Sequence, residues 1–173
     1  LPTDTIYGIV GSALSKRTVM RIYKLRHRNF KKPMIVLIGS IADLKKFGVR
    51  LDAKTRKIVK KFWPGKVSII LPCTSKKFLY LHRGTKTLAF RLPAGAPAKA
   101  GLPKFTIRKL LKKTGPLVAP SANLEGKSFA KTVEEAKKYF GDRVDFYLNS
   151  GRISAQPSSL IRIIEEGKVV KLR

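Results

Sequence analysis

The chain has 173 residues and carries 38 Lys and Arg against 10 Asp and Glu, a formal charge of +28, with 43% hydrophobic residues. Val, Ile, Leu and Phe recur in short blocks along the whole length, which excludes a disordered basic tail, and no block approaches the roughly 20 residues of a bilayer span. One cysteine, Cys73, and two histidines exclude an internal disulfide and a structural zinc site. The composition therefore suits one soluble domain over residues 1–173, in a reducing, cytoplasmic compartment and without a membrane partner. Its charge draws polyanions such as nucleotides, RNA or anionic lipid.

Leu1-Pro2 opens inside an expected strand, so the domain is expected to lack part of that strand upstream. Ser15 precedes Val19, Ile22, Tyr23 and Leu25, a spacing that predicts an amphipathic helix ending in the basic tip Arg26-His27-Arg28. The β-prone run Met34-Ile35-Val36-Leu37-Ile38 reads as an inner strand buried on both faces. Ser40 and Asp43 open a short helix closed by Gly48, and Asp52 caps a second one that Pro64-Gly65 stops. Strands are expected at 67–71, 88–91, 117–119, 146–148, 160–164 and 169–172. Two further helices are expected, over about 104–113 and from the box Thr132-Val133-Glu134-Glu135 to Gly141. The basic stretch Ser75 to Thr87 reads as a mobile loop. Strands separated by helices indicate an α/β domain with a mixed or parallel sheet.

Nucleophile-dependent chemistry finds little support. His27 and His82 lie in basic surroundings, and there is no Gly-x-Ser-x-Gly elbow, Walker A loop or Gly-x-Gly-x-x-Gly fingerprint. Cys73, after a strand and Pro72, reads as a buried thiol. What remains is suited to anions. Arg26 and Arg28, with Lys31 and Lys32 behind them, offer guanidinium forks for phosphate or carboxylate, although the same cations would also complement a helix C-terminus. Pro120-Ser121-Ala122-Asn123 offers a hydroxyl and an amide at the carboxyl end of a strand, where open α/β sheets bind ligands, or else a turn that caps that strand. Thr3 and Thr5 flank Asp4 and would share one side of an extended segment.

Taken in order, Pro2-Thr3-Asp4-Thr5-Ile6-Tyr7-Gly8, Arg26-His27-Arg28, Trp63-Pro64-Gly65, Ala89-Phe90-Arg91, Pro120 to Gly126 and Pro157-Ser158-Ser159-Leu160-Ile161 resemble the YrdC-type threonylcarbamoyl-AMP synthases over almost the entire chain. The resemblance implies a single α/β domain with a twisted mixed sheet, flanking helices and a concave basic cleft. It implies an enzyme that condenses L-threonine, bicarbonate and ATP, with Mg²⁺, into threonylcarbamoyl-AMP and pyrophosphate for tRNA modification. Expected partners are tRNA or double-stranded RNA and the tRNA threonylcarbamoyl-transferase proteins. By position, Arg26 and Arg28 match the family's catalytic Lys-x-Arg motif, and Ser121 and Asn123 match its Ser-x-Asn motif. Thr3, Thr5 and Tyr7 match its threonine-pocket segment, while Arg91 matches an arginine of the same cleft and Ser158 a late serine near the nucleotide. Arg26 stands where the family usually has Lys, and Asn29 where it commonly has Pro. A non-catalytic basic RNA-binding module using the same cleft is the alternative, and a related carbamoyl-handling domain with another acceptor amine is a third reading.

Overall fold

A computed structural model describes residues 1–95, 106–164 and 167–173. Ser15 accepts a hydrogen bond from the Thr18 amide and starts α1 (Lys16–Leu25), whose Val19, Ile22 and Tyr23 face inward at helical spacing. Asp52 caps α2 (Ala53–Phe62) in the same way. The Ser40–Asp43 box begins a 3₁₀ helix (Ile41–Phe47), which Gly48 ends with φ of 72°. Thr132 starts α5 (Val133–Phe140). The helix expected over 104–113 is α4 (Ile107–Thr114); residues 104 and 105 lie outside the described residues.

Seven strands form one mixed sheet: β1 (Gly11–Ser12), β2 (Val36–Leu37), β3 (Val67–Pro72), β4 (Thr87–Arg91), β5 (Leu117–Val118), β6 (Ser159–Ile163) and β7 (Val169–Lys171), in the order β1-β5-β2-β4-β3-β6-β7. The pairs β2/β4 and β3/β6 are parallel and the rest antiparallel. β2 is the inner strand its composition predicts, hydrogen-bonded to β4 and β5. Alternation sends Val36 and Val118 into the main core, with Val19, Ile22 and Phe90. Leu37 and Leu117 point to the other face, where Ile107 and Leu111 of α4 cover them. Both faces are thus dry, which explains the unbroken apolar run at 34–38.

Three expectations are corrected. Residues 146–148 form no strand: Phe146 is 66% exposed and the Tyr147 hydroxyl donates to the Gly141 carbonyl. Ser75 to Thr87 is not an open loop, because it contains a 3₁₀ turn (Lys76–Phe78) and α3 (Leu79–His82), which bury Phe78, Leu81 and His82. Pro2 to Tyr7 is not extended either. It turns back on itself, with the Thr3 amide donating to the Ile6 carbonyl and a bridge between Pro2 and Tyr7.

Candidate active site

The turn at Pro2–Tyr7 still brings its two hydroxyls together. Thr3 Oγ1 donates to the Ile6 carbonyl at 2.7 Å and lies 3.1 Å from Thr5 Oγ1. Gly8 pairs with Ser121. A Cβ there would sit 3.2 Å from the Pro120 carbonyl, so glycine lets the first segment close onto the turn that follows β5.

Arg26 is the C-cap of α1, 3% exposed, and its side chain runs inward to that turn. Its Nε donates to the Asn123 carbonyl at 3.0 Å, and its Nη2 donates to Asn123 Oδ1 at 2.8 Å and to Ser121 Oγ at 3.3 Å. The Ser121 hydroxyl donates to Asn123 Oδ1 at 2.6 Å, and Asn123 Nδ2 to the Lys127 carbonyl at 2.6 Å. One edge of the fork is therefore spent on the protein, while the buried Nη1 has no hydrogen-bond partner among the described residues. Burial, reinforced by Arg28 and opposed by Glu125, lowers the Arg26 guanidinium to about 10. Arg28 is likewise anchored, from Nε to the Lys32 carbonyl at 3.2 Å and from Nη2 to the Pro33 carbonyl at 2.8 Å.

Arg91, the last residue of β4, is buried against Asp4 with Nη2 3.0 Å from Oδ1, and donates from Nη1 to Thr5 Oγ1 at 3.2 Å. Its Nε is buried without a hydrogen-bond partner among the described residues. Burial raises the Asp4 carboxyl and lowers the Arg91 guanidinium from their ordinary values, and the contact between them opposes both shifts. Ser158 lies just before β6, its hydroxyl 3.0 Å from that of Ser68.

Most of these residues line one open cavity of about 140 Å³. Arg26, Arg28, Arg91 and Arg173 supply its cations, and Thr3, Thr5, Ser121 and Ser158 its hydroxyls. Two expected residues are not in the lining. Asn123 stands behind it as the support of Arg26. Tyr7 faces the opposite side, in an apolar cavity between α1 and α5, where its hydroxyl donates to the Gly151 carbonyl at 2.8 Å and accepts from the Ser150 amide at 2.8 Å. Sequence reasoning missed Arg173, which donates to the Ser158 carbonyl at 3.1 Å; nothing in the motifs around it marks it. His82 and Cys73 are buried away from the cavity. His82 Nδ1 accepts from the Gly84 amide, and burial pushes the Cys73 thiol up.

The cavity can thus attract an anion with its four arginines and orient polar groups with four hydroxyls. Among the residues that line it there is no carboxylate or thiol.

Residues 1–173 match the family model Sua5/YciO/YrdC, described as telomere recombination. The chain is 30% identical over 172 residues to a putative threonylcarbamoyl-AMP synthase of Methanocaldococcus jannaschii, covering 99% of this chain and 76% of that protein. It is 26% identical over 172 residues to the threonylcarbamoyl-AMP synthase of Pyrococcus abyssi, covering 99% of this chain and 48% of the relative, so the chain spans about half that protein's length. Among solved structures, P. abyssi Sua5 complexed with L-threonine superposes with a TM-score of 0.83 at 28% identity, covering 99% of this chain and 48% of that one. Escherichia coli YciO superposes with a TM-score of 0.78 at 23% identity, covering 99% and 80%, a likeness of fold.

Proposed function

Because the chain belongs to the Sua5/YciO/YrdC family, whose model matches it from residue 1 to residue 173, we propose that it is a nucleotidyltransferase that makes threonylcarbamoyl-AMP from L-threonine, bicarbonate and ATP. The observation that carries this reading is one cavity lined by four arginines and four hydroxyl side chains, with no acidic side chain among its lining residues. Such a lining attracts anionic groups and orients them.

The reaction asks for no nucleophilic side chain. The threonine amine attacks the bicarbonate carbon and water leaves, giving a carbamate. A carbamate oxygen then attacks the α-phosphorus of ATP, and pyrophosphate departs with the electrons of the broken P–O bond. The chain's task is to hold anions at reacting distance and neutralise the charge that accumulates between them. Arg26, Arg28, Arg91 and Arg173 provide the positive charge. The hydroxyls of Thr3 and Thr5 suit the threonine end, and those of Ser121 and Ser158 suit phosphate or ribose.

Mg²⁺ would enter on the phosphates of ATP and retain its waters. The donors that the lining offers it are hydroxyl oxygens, since Asp4 is committed to Arg91 and Glu125 to Lys32. The adenylate would pass to the proteins that transfer threonylcarbamoyl to tRNA, in the cytoplasm.

The test is pyrophosphate release from ATP with and without L-threonine and bicarbonate. Release that requires both and is lost in Arg28→Ala supports the synthase. Release indifferent to threonine overturns it and points to another acceptor amine.

A further inference from the structure

Arg28 sits on irregular backbone between α1 and β2, its amide donating to the Tyr23 carbonyl at 3.0 Å. Its guanidinium is held by the loop that follows, with Nη2 on the Pro33 carbonyl at 2.8 Å and Nε on the Lys32 carbonyl at 3.2 Å. The Lys32 carbonyl also accepts from the Tyr23 hydroxyl at 2.9 Å. Displacement of residues 32 and 33 would therefore disturb both contacts of the Arg28 guanidinium. Two side chains from elsewhere in the fold seize this loop. Glu125 reaches across from the Ser121–Asn123 turn: its amide donates to the Arg26 carbonyl at 2.9 Å, its Oε2 accepts from the Asn29 amide at 2.5 Å, and its Oε1 accepts from Lys32 Nζ at 2.7 Å. Arg83, the left-handed residue that ends α3, approaches from the other side. It donates from Nε to the Phe30 carbonyl at 2.5 Å, and its guanidinium lies over the rings of Tyr23 and Phe30, at 5.3 and 5.4 Å. Those two rings stack at 5.2 Å.

We propose that Glu125 and Arg83 are positioning residues, a two-sided clamp that locks the Arg28 loop to the turn bearing Ser121 and Asn123 and so sets the spacing between the cations that receive ATP. The proposal rests on the synthase reading for the identity of the ligand. Neither clamp residue lines the cavity, so each acts through Arg28 and not on substrate. The two grips differ in chemistry. Glu125 holds by charge-assisted hydrogen bonds, and Arg83 by cation–π stacking and a carbonyl contact.

The experiment measures three quantities in wild type, Glu125→Ala, Glu125→Gln and Arg83→Met, each alone and combined with Arg28→Ala. They are hydrogen exchange at the Asn29 amide, the KM and kcat for ATP in threonine-dependent pyrophosphate release, and the dissociation constant of ATP by calorimetry. Loss of either grip is expected to speed exchange at Asn29 and raise the KM for ATP about tenfold, with kcat changed less than about threefold. Glu125→Gln keeps an acceptor for Asn29 and should fall between wild type and Ala; it also serves if Glu125→Ala fails to fold. In the Arg28→Ala background, where release is lost, neither substitution should raise the dissociation constant of ATP further. Faster exchange with an unchanged KM overturns the clamp, and so does a tenfold rise in the ATP dissociation constant that persists without Arg28. If wild type shows no threonine-dependent release, the synthase reading fails. The calorimetric constants then decide the clamp by the same comparison, and the absence of ATP binding overturns both.

Discussion

Arg26 holds Asn123 by two of its atoms, donating from Nε to the backbone carbonyl at 3.0 Å and from Nη2 to the side-chain oxygen at 2.8 Å. Side-chain identity and backbone position at residue 123 are therefore fixed by one guanidinium, and the end of α1 is joined to the turn after β5. Asn123→Ala removes the buried partner of Nη2 and should cost about 1.5–3 kcal/mol, the range for hydrogen bonds to charged groups. Urea unfolding checks this: the midpoint should fall while the slope m stays unchanged.

The Arg26→Lys variant probes the same contact from the other side. An ammonium is a compact point charge and cannot span the Asn123 carbonyl and Oδ1 as the planar fork does. It should lose stability by about 1 kcal/mol. If the synthase reading is right, it should keep threonine-dependent pyrophosphate release, because the positive charge remains in the cavity. Complete loss of release in a folded Arg26→Lys protein would mean that the fork itself is needed.

Asp4 and Arg91 form the most deeply buried ion pair among the described residues, with side chains 0% and 4% exposed. Breaking such a pair from one side leaves an uncompensated charge, so Asp4→Ala should destabilise by about 3–5 kcal/mol. Removing both charges in Asp4→Ala/Arg91→Met should return most of that loss, since replacing a buried pair with apolar groups is often neutral. The doubly substituted protein should fold yet bind ATP poorly, separating the pair's structural part from the role of Arg91 in the cavity. Thermal unfolding and calorimetric titration with ATP measure the two effects.

Tyr7 belongs to the motif that led to Thr3 and Thr5, but its hydroxyl is spent on Ser150 and Gly151 in the cavity on the other side of that segment. Tyr7→Phe should therefore cost about 1–2 kcal/mol in stability from the two lost hydrogen bonds. The KM for threonine should stay within about twofold, because nothing that lines the basic cavity has moved. A large rise in that KM with little change in stability would put the hydroxyl back in the substrate site.

Much of this was legible because local rules and tertiary packing agree. Ser15, Ser40, Asp52 and Thr132 each cap the helix that the sequence assigns to it, and the run at 34–38 is buried on both sheet faces as its composition demands. The misses are places where context decides. Gly11-Ser12 has no strand propensity, and it becomes β1 only because β5 offers it a partner. Phe146 to Leu148 has that propensity and finds no neighbouring strand. In the stretch from Ser75 to Thr87 the basic residues hid Phe78 and Leu81, whose three-residue spacing was the available signal for a buried helical turn. Within the site, motif order located the arginines and hydroxyls but not their hydrogen bonds. Two forks expected to meet phosphate or carboxylate each give one edge to the protein's own oxygens.

The pH behaviour of the Glu125 latch follows from its contacts. The hydrogen bond from Lys32 and then that from the Asn29 amide hold its carboxyl below the ordinary value of 4.5. A carboxyl whose native pKa is depressed contributes stability that is whole above its unfolded value and is lost as pH falls through the native one. Between neutrality and about pH 5 the latch should therefore be intact, and on further acidification it should open at a pH below 4.5. The Asn29 amide proton, bonded directly to the carboxylate, is the natural probe: its chemical shift should titrate with a midpoint below that value. Lys32→Ala removes the largest cause of the depression and should move the midpoint upward. A midpoint unaffected by Lys32→Ala would mean that the ammonium does not hold Glu125, and that the amide alone closes the latch.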